Sequence, residues 1–533
     1  MRGFAGSSLG VWAVVLVLLC LVGVGAATGQ QPRKGGTLVV VLDTDPPTIT
    51  TATTTSLSDE QVGVSMLDSL IWVDRSDQIR PHLAESWTVS PDGLAYTFHL
   101  RHDVKWHDGQ PFTSADVKFS FEQILAKYHP RAAGSFVHVK SIETPDPYTV
   151  VARMQEPYAP FLHSLGMSDG PIVPKHLLEG TDIVKSGFLR RPVGTGPFKF
   201  QEWIPGDRIV VVRNTDYFEP GLPYLDRIIF KEIPDVHARA VALETGEADY
   251  VFDSFLGQSD VPQLARDKGI KLEYDTDFPL DDVLIFNVRK PPLSNVKVRQ
   301  AITTAIARGV INHRVFFGLG APGRSPIDSR FTWAYNPQAD YQRLYAYNPA
   351  VAGRLLDEAG YPVKTNGMRF TIRHTFDIRR PGQLPLAQLL REQLRKVGID
   401  LELDGVERSV MLDRIYNKWD FDTTTQLYNS NGDPAIGLQR LYICREIRKA
   451  PFTNGSGYCN PEVDQLFAKG ASVVSQAERG TYYKQVQLIL VRDVPTLVLN
   501  ERRRVDAARI VVNGLWGTKI GYERLAPVWL STP

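Results

Sequence analysis

Prolines and glycines interrupt this chain along its whole length, 36 and 42 of them in 533 residues. Each one ends, kinks or turns a regular element, so the chain reads as many short elements joined by turns. A helical bundle or coiled coil needs long uninterrupted periodic runs and is excluded. With hydrophobic residues at 43% and charged residues at 22%, the chain can still bury a large core and is not a disordered polymer. Mixed α and β structure is the expectation, in about three units by length.

The apolar run Val11 to Ala27 follows a lone Arg2 and a small polar stretch, and it ends in Gly25-Ala-Ala27. This is the layout of a secretory signal peptide, with an uncleaved N-terminal anchor as the alternative. Cys20 lacks the small preceding residue of a lipoprotein site. No later segment reaches 18 uninterrupted apolar residues, so the secreted chain is expected to be soluble. Loss of residues 1–27 removes only Arg2 among charged groups and leaves 59 basic and 59 acidic side chains. That balance supplies no field for nucleic-acid binding. Only Cys444 and Cys459 remain, with 14 residues between them. In an oxidising compartment a disulfide is expected, with two buried thiols as the alternative; a zinc site would need histidines that do not lie nearby.

The β-branched run Thr37–Leu42 predicts a buried strand, followed by a Thr-rich loop from Thr44 to Ser58 without a core pattern. Alternation around Pro91-Asp-Gly93, with Tyr96, Phe98 and Leu100 on one face, predicts a β-hairpin. Thr113-Ser-Ala-Asp116 predicts a capped helix with Val117, Phe121 and Ile124 facing inward. Ser294 is expected to cap a helix carrying Val298, Ala301, Ile302 and Ala305. Pro385 to Lys396 predicts a helix, Gly398 its end, and Ile399, Leu401 and Leu403 a strand. Asp282 to Asn287 and Val494 to Asn500 read as an outgoing and a returning crossing between two lobes.

Catalytic signatures are weak. Gly318-Leu-Gly-Ala-Pro-Gly323 follows a helix and not a strand, which argues against a dinucleotide site. Gly194-Thr-Gly-Pro-Phe198 lacks the ending of a phosphate loop. His107-Asp108 is expected to make local turn hydrogen bonds. No cofactor and no metal is expected.

Several segments nevertheless carry a resemblance: LAESWTVSPDG from Leu83 and YTFHLRHDVKWHDGQPFTSADVKFSFE from Tyr96; VGTGPFKFQEW from Val193, RNTDYF from Arg213 and ALETGEADYV from Ala242; VRQAITTAIAR from Val298, LLDEAGY from Leu355, LREQLRKVGIDLEL from Leu390, NGDP from Asn431 and CNPEVDQL from Cys459. Together they resemble family 5 of the extracellular solute-binding proteins, which serve peptide and nickel ABC importers. The resemblance implies an α/β fold of the two-lobed periplasmic-binding-protein type with a subdomain inserted in the first lobe. It places the signal peptide at 1–27, lobe I at 28–285 with the insert at about 70–190, lobe II at 286–503, and a return to lobe I at 504–533. It implies a monomeric periplasmic carrier, not an enzyme, that closes on a peptide or peptide-like solute and delivers it to membrane permease subunits with their ATPase. An oligosaccharide, opine, aromatic compound or metal chelate is the alternative cargo, and a secreted enzyme the alternative of another class.

In peptide-binding members an aspartate shortly before the Asp-Pro pair takes the ligand's amino terminus; here Ser430 stands at that place and cannot pair with an ammonium group. Tyr428, Asn429, Ser430 and Asn431 are the cleft candidates on this turn, while Asp433 reads as more structural. Arg379 and Arg380 lie near the family's carboxylate-binding arginine and are candidate anion clamps. Trp333 is a candidate stacking surface, and Thr44 and Asp45 end the first strand at the expected cleft.

Overall fold

A computed structural model describes residues 31–76, 78–275, 279–429, 432–518 and 524–531. The signal-peptide segment, Ser430 and Asn431 lie outside the described residues.

Three sheets organise the chain, each against its own apolar core. The first has seven strands in the order Ile270–Asp275, Arg504–Arg509, Tyr250–Val251, Thr37–Leu42, Arg227–Glu232, Arg208–Arg213, Phe198–Ile204. Thr37–Leu42 runs parallel to Arg227–Glu232, and Leu38, Val40, Val41 and Leu42 are buried, as its unbroken apolar run requires. The second has six strands in the order Gly320–Pro322, Thr496–Arg502, Leu280–Phe286, Thr423–Asn429, Phe370–Asp377, Ile399–Val406. All seven residues of Leu280–Phe286 are buried. The third, Ala84–Val89, Ala95–Leu100, Thr149–Met154 and Val139–Asp146, is antiparallel. It shows the expected hairpin alternation: Tyr96, Phe98 and Leu100 point into the core, and Gly93 takes the positive φ of 69° that closes the turn.

The helix caps follow local chemistry. Thr113 and Asp116 form the reciprocal capping box of Ser114–Phe119. At Val296–Ala305 the cap is Asn295, not Ser294: the Asn295 side chain accepts from Lys297 N at 3.0 Å, and Ser294 belongs to the preceding turn, donating its N–H to Lys290 O. The two residue types cap equally well, so their order alone could not separate them. The Thr44–Ser58 stretch also departs from expectation. Ile49, Thr50, Thr51 and Ala52 are fully buried, and Thr50 caps the short turn Thr51–Thr53. Its threonines pack by size and hydroxyl bonding, which leaves no apolar period to read.

The two large sheets are joined twice. The outgoing chain leaves the first sheet at Asp275 and enters the second at Leu280; the returning chain leaves at Arg502 and re-enters the first at Arg504, with Arg503 between. Asp275 pairs with Arg504 on one side and Asp281 with Glu501 on the other, so both crossings run side by side. Cys444 and Cys459 form the disulfide, with Cα atoms 4.6 Å apart. Among the described residues no helix is long and apolar enough to cross a membrane.

Candidate functional site

Beside the crossings lies a cleft of about 870 Å³, partly continuous with solvent, walled from both sheets. On the first-sheet side stand Thr55, Leu57 and Glu60 from the helix Leu57–Gly63 and its approach, Arg131 from just before the helix Ala133–Phe136, Phe252, Ser254 and Arg504. On the second-sheet side stand Arg380, Arg408, Leu427, Asn429, Arg440 and Phe452, with Leu280 on the outgoing crossing. Leu280 and Asn429 are direct strand partners, which brings the end of the strand Thr423–Asn429 to the crossing.

Five of these side chains are arginines and one is a carboxylate. Arg131 donates to Glu60 at 3.0 Å and to Asp169 at 2.7 Å, both buried acids. Arg504 lies 3.8 Å from Asp506 and over the Phe252 ring at 5.5 Å. Burial pushes the Asp506 carboxyl up to about 6 despite Arg504. On the facing wall the pattern changes. Arg440 donates Nε–H to Gly437 O at 3.0 Å and lies over Tyr428 at 5.8 Å. Arg408 lies over Phe452 at 5.9 Å. Arg380 is lowered to about 10, first by burial of its guanidinium and then by the charge of Arg502. The side chains of Arg380, Arg408 and Arg440 make no ion pair with a carboxylate among the described residues. The Asn429 Oδ1 atom is buried and accepts no hydrogen bond there.

Two of the residues singled out from sequence, Asn429 and Arg380, therefore line the cleft. Tyr428, one residue earlier on the strand, points the other way into the core and shares a 2.7 Å hydrogen bond with Tyr416 Oη. Asp433 is buried, caps the next turn by accepting from Ala435 N, and pairs with Arg479 at 2.8 Å. Arg379 is exposed and paired with Glu407 at 2.8 Å. Trp333 is half-buried, edge-on to Tyr483 at 5.6 Å and under Arg479 at 5.3 Å. Thr44 is exposed, and Asp45 accepts from Trp203 Nε1 at 2.8 Å. Sequence reasoning missed Glu60, Arg131, Arg408, Arg440, Phe252 and Phe452. Arg504 was visible only as the end of a basic run.

His107 corrects a further expectation. Its ring reaches across the chain, accepting from Gly194 N at 3.1 Å and meeting Gly196 O at 3.0 Å, while Asp108 alone makes the local bond, to Gln110 N. Burial lowers this histidine to about 4, so it stays neutral and structural. Gly194 and Gly196 are glycines because the Met66 carbonyl passes there: a Cβ on Gly194 would lie 1.8 Å from Met66 O.

The sequence profile of the bacterial extracellular solute-binding proteins, family 5, matches residues 78–448. The chain belongs to this family. Among its relatives is the oligopeptide-binding protein AppA of Bacillus subtilis, 29% identical over 479 residues covering 87% of this chain and 86% of AppA. The AppA structure, in complex with a nonapeptide, superposes with a TM-score of 0.83 at 26% identity over 94% of this chain and all of that one. The glutathione-binding protein GsiB of Escherichia coli K12 is 28% identical over 467 residues, 86% of this chain and 87% of GsiB. The periplasmic binding protein DppA of Helicobacter pylori, in complex with the peptide STSA, gives a TM-score of 0.82 at 29% identity over 94% and 99% of the two chains. The fold is thus the two-lobed architecture of periplasmic binding proteins.

Proposed function

We propose that this protein is the secreted, non-enzymatic solute-binding component of an ABC importer, capturing a peptide or peptide-like solute between its lobes and handing it to membrane permease subunits driven by their ATPase. The observation that carries this reading is a cleft walled from both large sheets beside the two crossings that join them. A solute touching Arg131 or Arg504 on one wall and Arg380 or Arg440 on the other contributes contacts that exist only when both walls are near, and those contacts stabilise closure. Oligopeptide and glutathione carriers among the relatives favour peptide cargo over other solutes.

In this reading the moving units are lobe I, 28 to about 279 with its insert at about 70–190 and its return at 504–533, and lobe II, about 280–503; the boundary of 285 expected from sequence falls inside the second-sheet strand Leu280–Phe286, which moves with lobe II. The location is the periplasm, reached by the 1–27 signal, and the working state is a monomer. Asn429 and Arg380 are the ligand contacts carried forward from sequence; Ser430 and Asn431, next to Asn429 in the chain, stay candidates.

Isothermal titration of the chain from Thr28 onward against di-, tri- and oligopeptides tests the proposal. Thermal shift is a parallel readout, since a ligand at 100 times its Kd stabilises by about 2.7 kcal/mol. Saturable 1:1 binding of a peptide class is expected. Binding of sugars or uncharged aromatics with silence from all peptides would overturn the peptide assignment.

A further inference from the structure

We infer that the cargo is an anionic peptide, one carrying more carboxylates than amines, and that the wall formed by Arg380, Arg408 and Arg440 selects it. This rests on the peptide-carrier reading above and narrows it.

The argument is one of unpaired charge. Three guanidinium groups stand on one wall of a single cleft, and none has a carboxylate partner among the described residues. Each has other neighbours. Arg440 is held by Gly437 O and the Tyr428 face, Arg408 by the face of Phe452, and Arg380 lies among the charges of Arg502, Asp282, Arg408 and Asp377. Aromatic faces and backbone carbonyls orient a guanidinium while leaving its forked donors available, which suits them to a carboxylate. In a protein with equal numbers of acids and bases outside residues 1–27, three guanidiniums at one site without a direct carboxylate partner among the described residues are not a consequence of overall composition.

The opposite wall adds to this. Arg131 of the first-sheet wall and Arg440 of the second-sheet wall feel each other as like charges, and burial together with Arg131 lowers Arg440. Arg131 is already offset by Glu60 and Asp169, so the positive charge without a direct partner lies on the Arg380, Arg408 and Arg440 wall, and an anion between the walls is attracted chiefly to that side. Asn429 Oδ1, buried and without a donor, calls for an N–H group beside those anions. A peptide supplies both: amide or amine N–H for Asn429 and carboxylates for the arginines. The single lining carboxylate, Glu60, already accepts from Arg131.

The test compares alanyl-glutamyl-glutamate with its amide isostere alanyl-glutaminyl-glutamine, and with citrate, by titration calorimetry at 50 and 300 mM salt. The proteins are the unaltered chain, R380M, R440M and R408M. Arg408 is exposed, so R408M guards against a variant that merely fails to fold, and circular dichroism checks each protein. The acidic tripeptide is expected to bind about tenfold or more tightly than the isostere, weakening with salt. Each Arg→Met change should weaken the acidic tripeptide more than the isostere and so remove most of that preference. Equal affinity for the two tripeptides would overturn the anionic inference while leaving the peptide carrier standing. Binding of citrate with no peptide binding would support the anionic wall and overturn peptide as the cargo. No binding of the acidic tripeptide or of citrate would overturn the anionic inference, and the titration against di-, tri- and oligopeptides above then decides the peptide-carrier reading separately.

Discussion

Asp281 and Glu501 face each other in register on the two adjacent strands by which the chain passes between its large sheets. Asp328 hydrogen bonds with Asp281 and repels both acids, and Arg330, paired with Asp328, is the cation facing the group. Glu501 also accepts from Arg324 N at 3.1 Å and from Ser329. Three buried carboxyls share one guanidinium beside the crossings, and burial, then the charge of Asp328, pushes Glu501 up to about 7.

The sign of the resulting pH dependence follows. Folded Glu501 keeps its proton to about pH 7 while the unfolded chain releases it near 4.5. The folded state therefore binds more protons in between, and the contribution of this group is greatest below pH 4.5 and lost as pH rises through 7. In E501Q that loss disappears. The difference in unfolding free energy between the unaltered chain and E501Q, measured in urea at pH 5 and pH 8, should change by roughly 2 to 3 kcal/mol. A difference independent of pH would show that Glu501 titrates normally.

The buried pair of Asp433 and Arg479 holds the turn after the candidate loop. Arg479 also donates to Gly470 O and Tyr483 Oη, so removal of Asp433 leaves a buried cation with only neutral partners. D433A should cost about 3 to 5 kcal/mol in urea unfolding. D433A combined with R479M should cost less than D433A alone. A D433A loss under about 1 kcal/mol would contradict the burial of this pair.

Cys444 and Cys459 close a loop of 15 residue steps. Serine at both positions should lower stability by about 3 kcal/mol, the loop-closure entropy returned to the unfolded chain. Denaturant midpoints of the unaltered chain with and without reductant should differ in the same direction, and reductant should not move the midpoint of the double-serine variant.

Two glycines make a matched pair. Gly194 is pressed against the Met66 carbonyl, whereas Gly134, in the helix Ala133–Phe136, has open space where a methyl group would stand, with nothing within 4 Å. G194A should abolish folding or drop the melting temperature sharply, because backbone must move. G134A should be neutral or stabilising by up to about 1 kcal/mol, the ordinary helical gain of alanine over glycine. Equal effects would mean that close packing does not explain Gly194.

Elements with strong local chemistry were legible before the structure: the Thr37–Leu42 strand, the hairpin around Gly93, the Thr113 cap and the helix ending at Gly398. Their signals sit within a few residues of one another. The cleft is another matter, because Glu60, Arg131, Arg380, Arg440 and Arg504 come from segments spread over more than four hundred residues. An arginine in a basic run such as Glu501-Arg-Arg-Arg504 looks the same whether it faces a ligand or a carboxylate. Arg379 and Arg380 illustrate this, one exposed and paired with Glu407 and the other in the cleft wall. Asn429 and Tyr428 differ only by strand parity, and nothing in the turn sequence says which of the two faces outward.

Both ends of the described chain belong to the same body. Thr37–Leu42 lies inside the seven-stranded sheet, the returning chain re-enters that sheet at Arg504, and Leu530 packs close to Gly36, where a Cβ would come within 3.2 Å of its side chain. The other body is joined to it by two neighbouring crossings and carries neither end of the described chain. A chain fixed to a bead, an electrode or a lipid through either terminus is thus gripped on one side of the cleft only. In the proposed closure the opposite body is the one left to move, and a dye placed on it is expected to report loading without the attachment damping the signal.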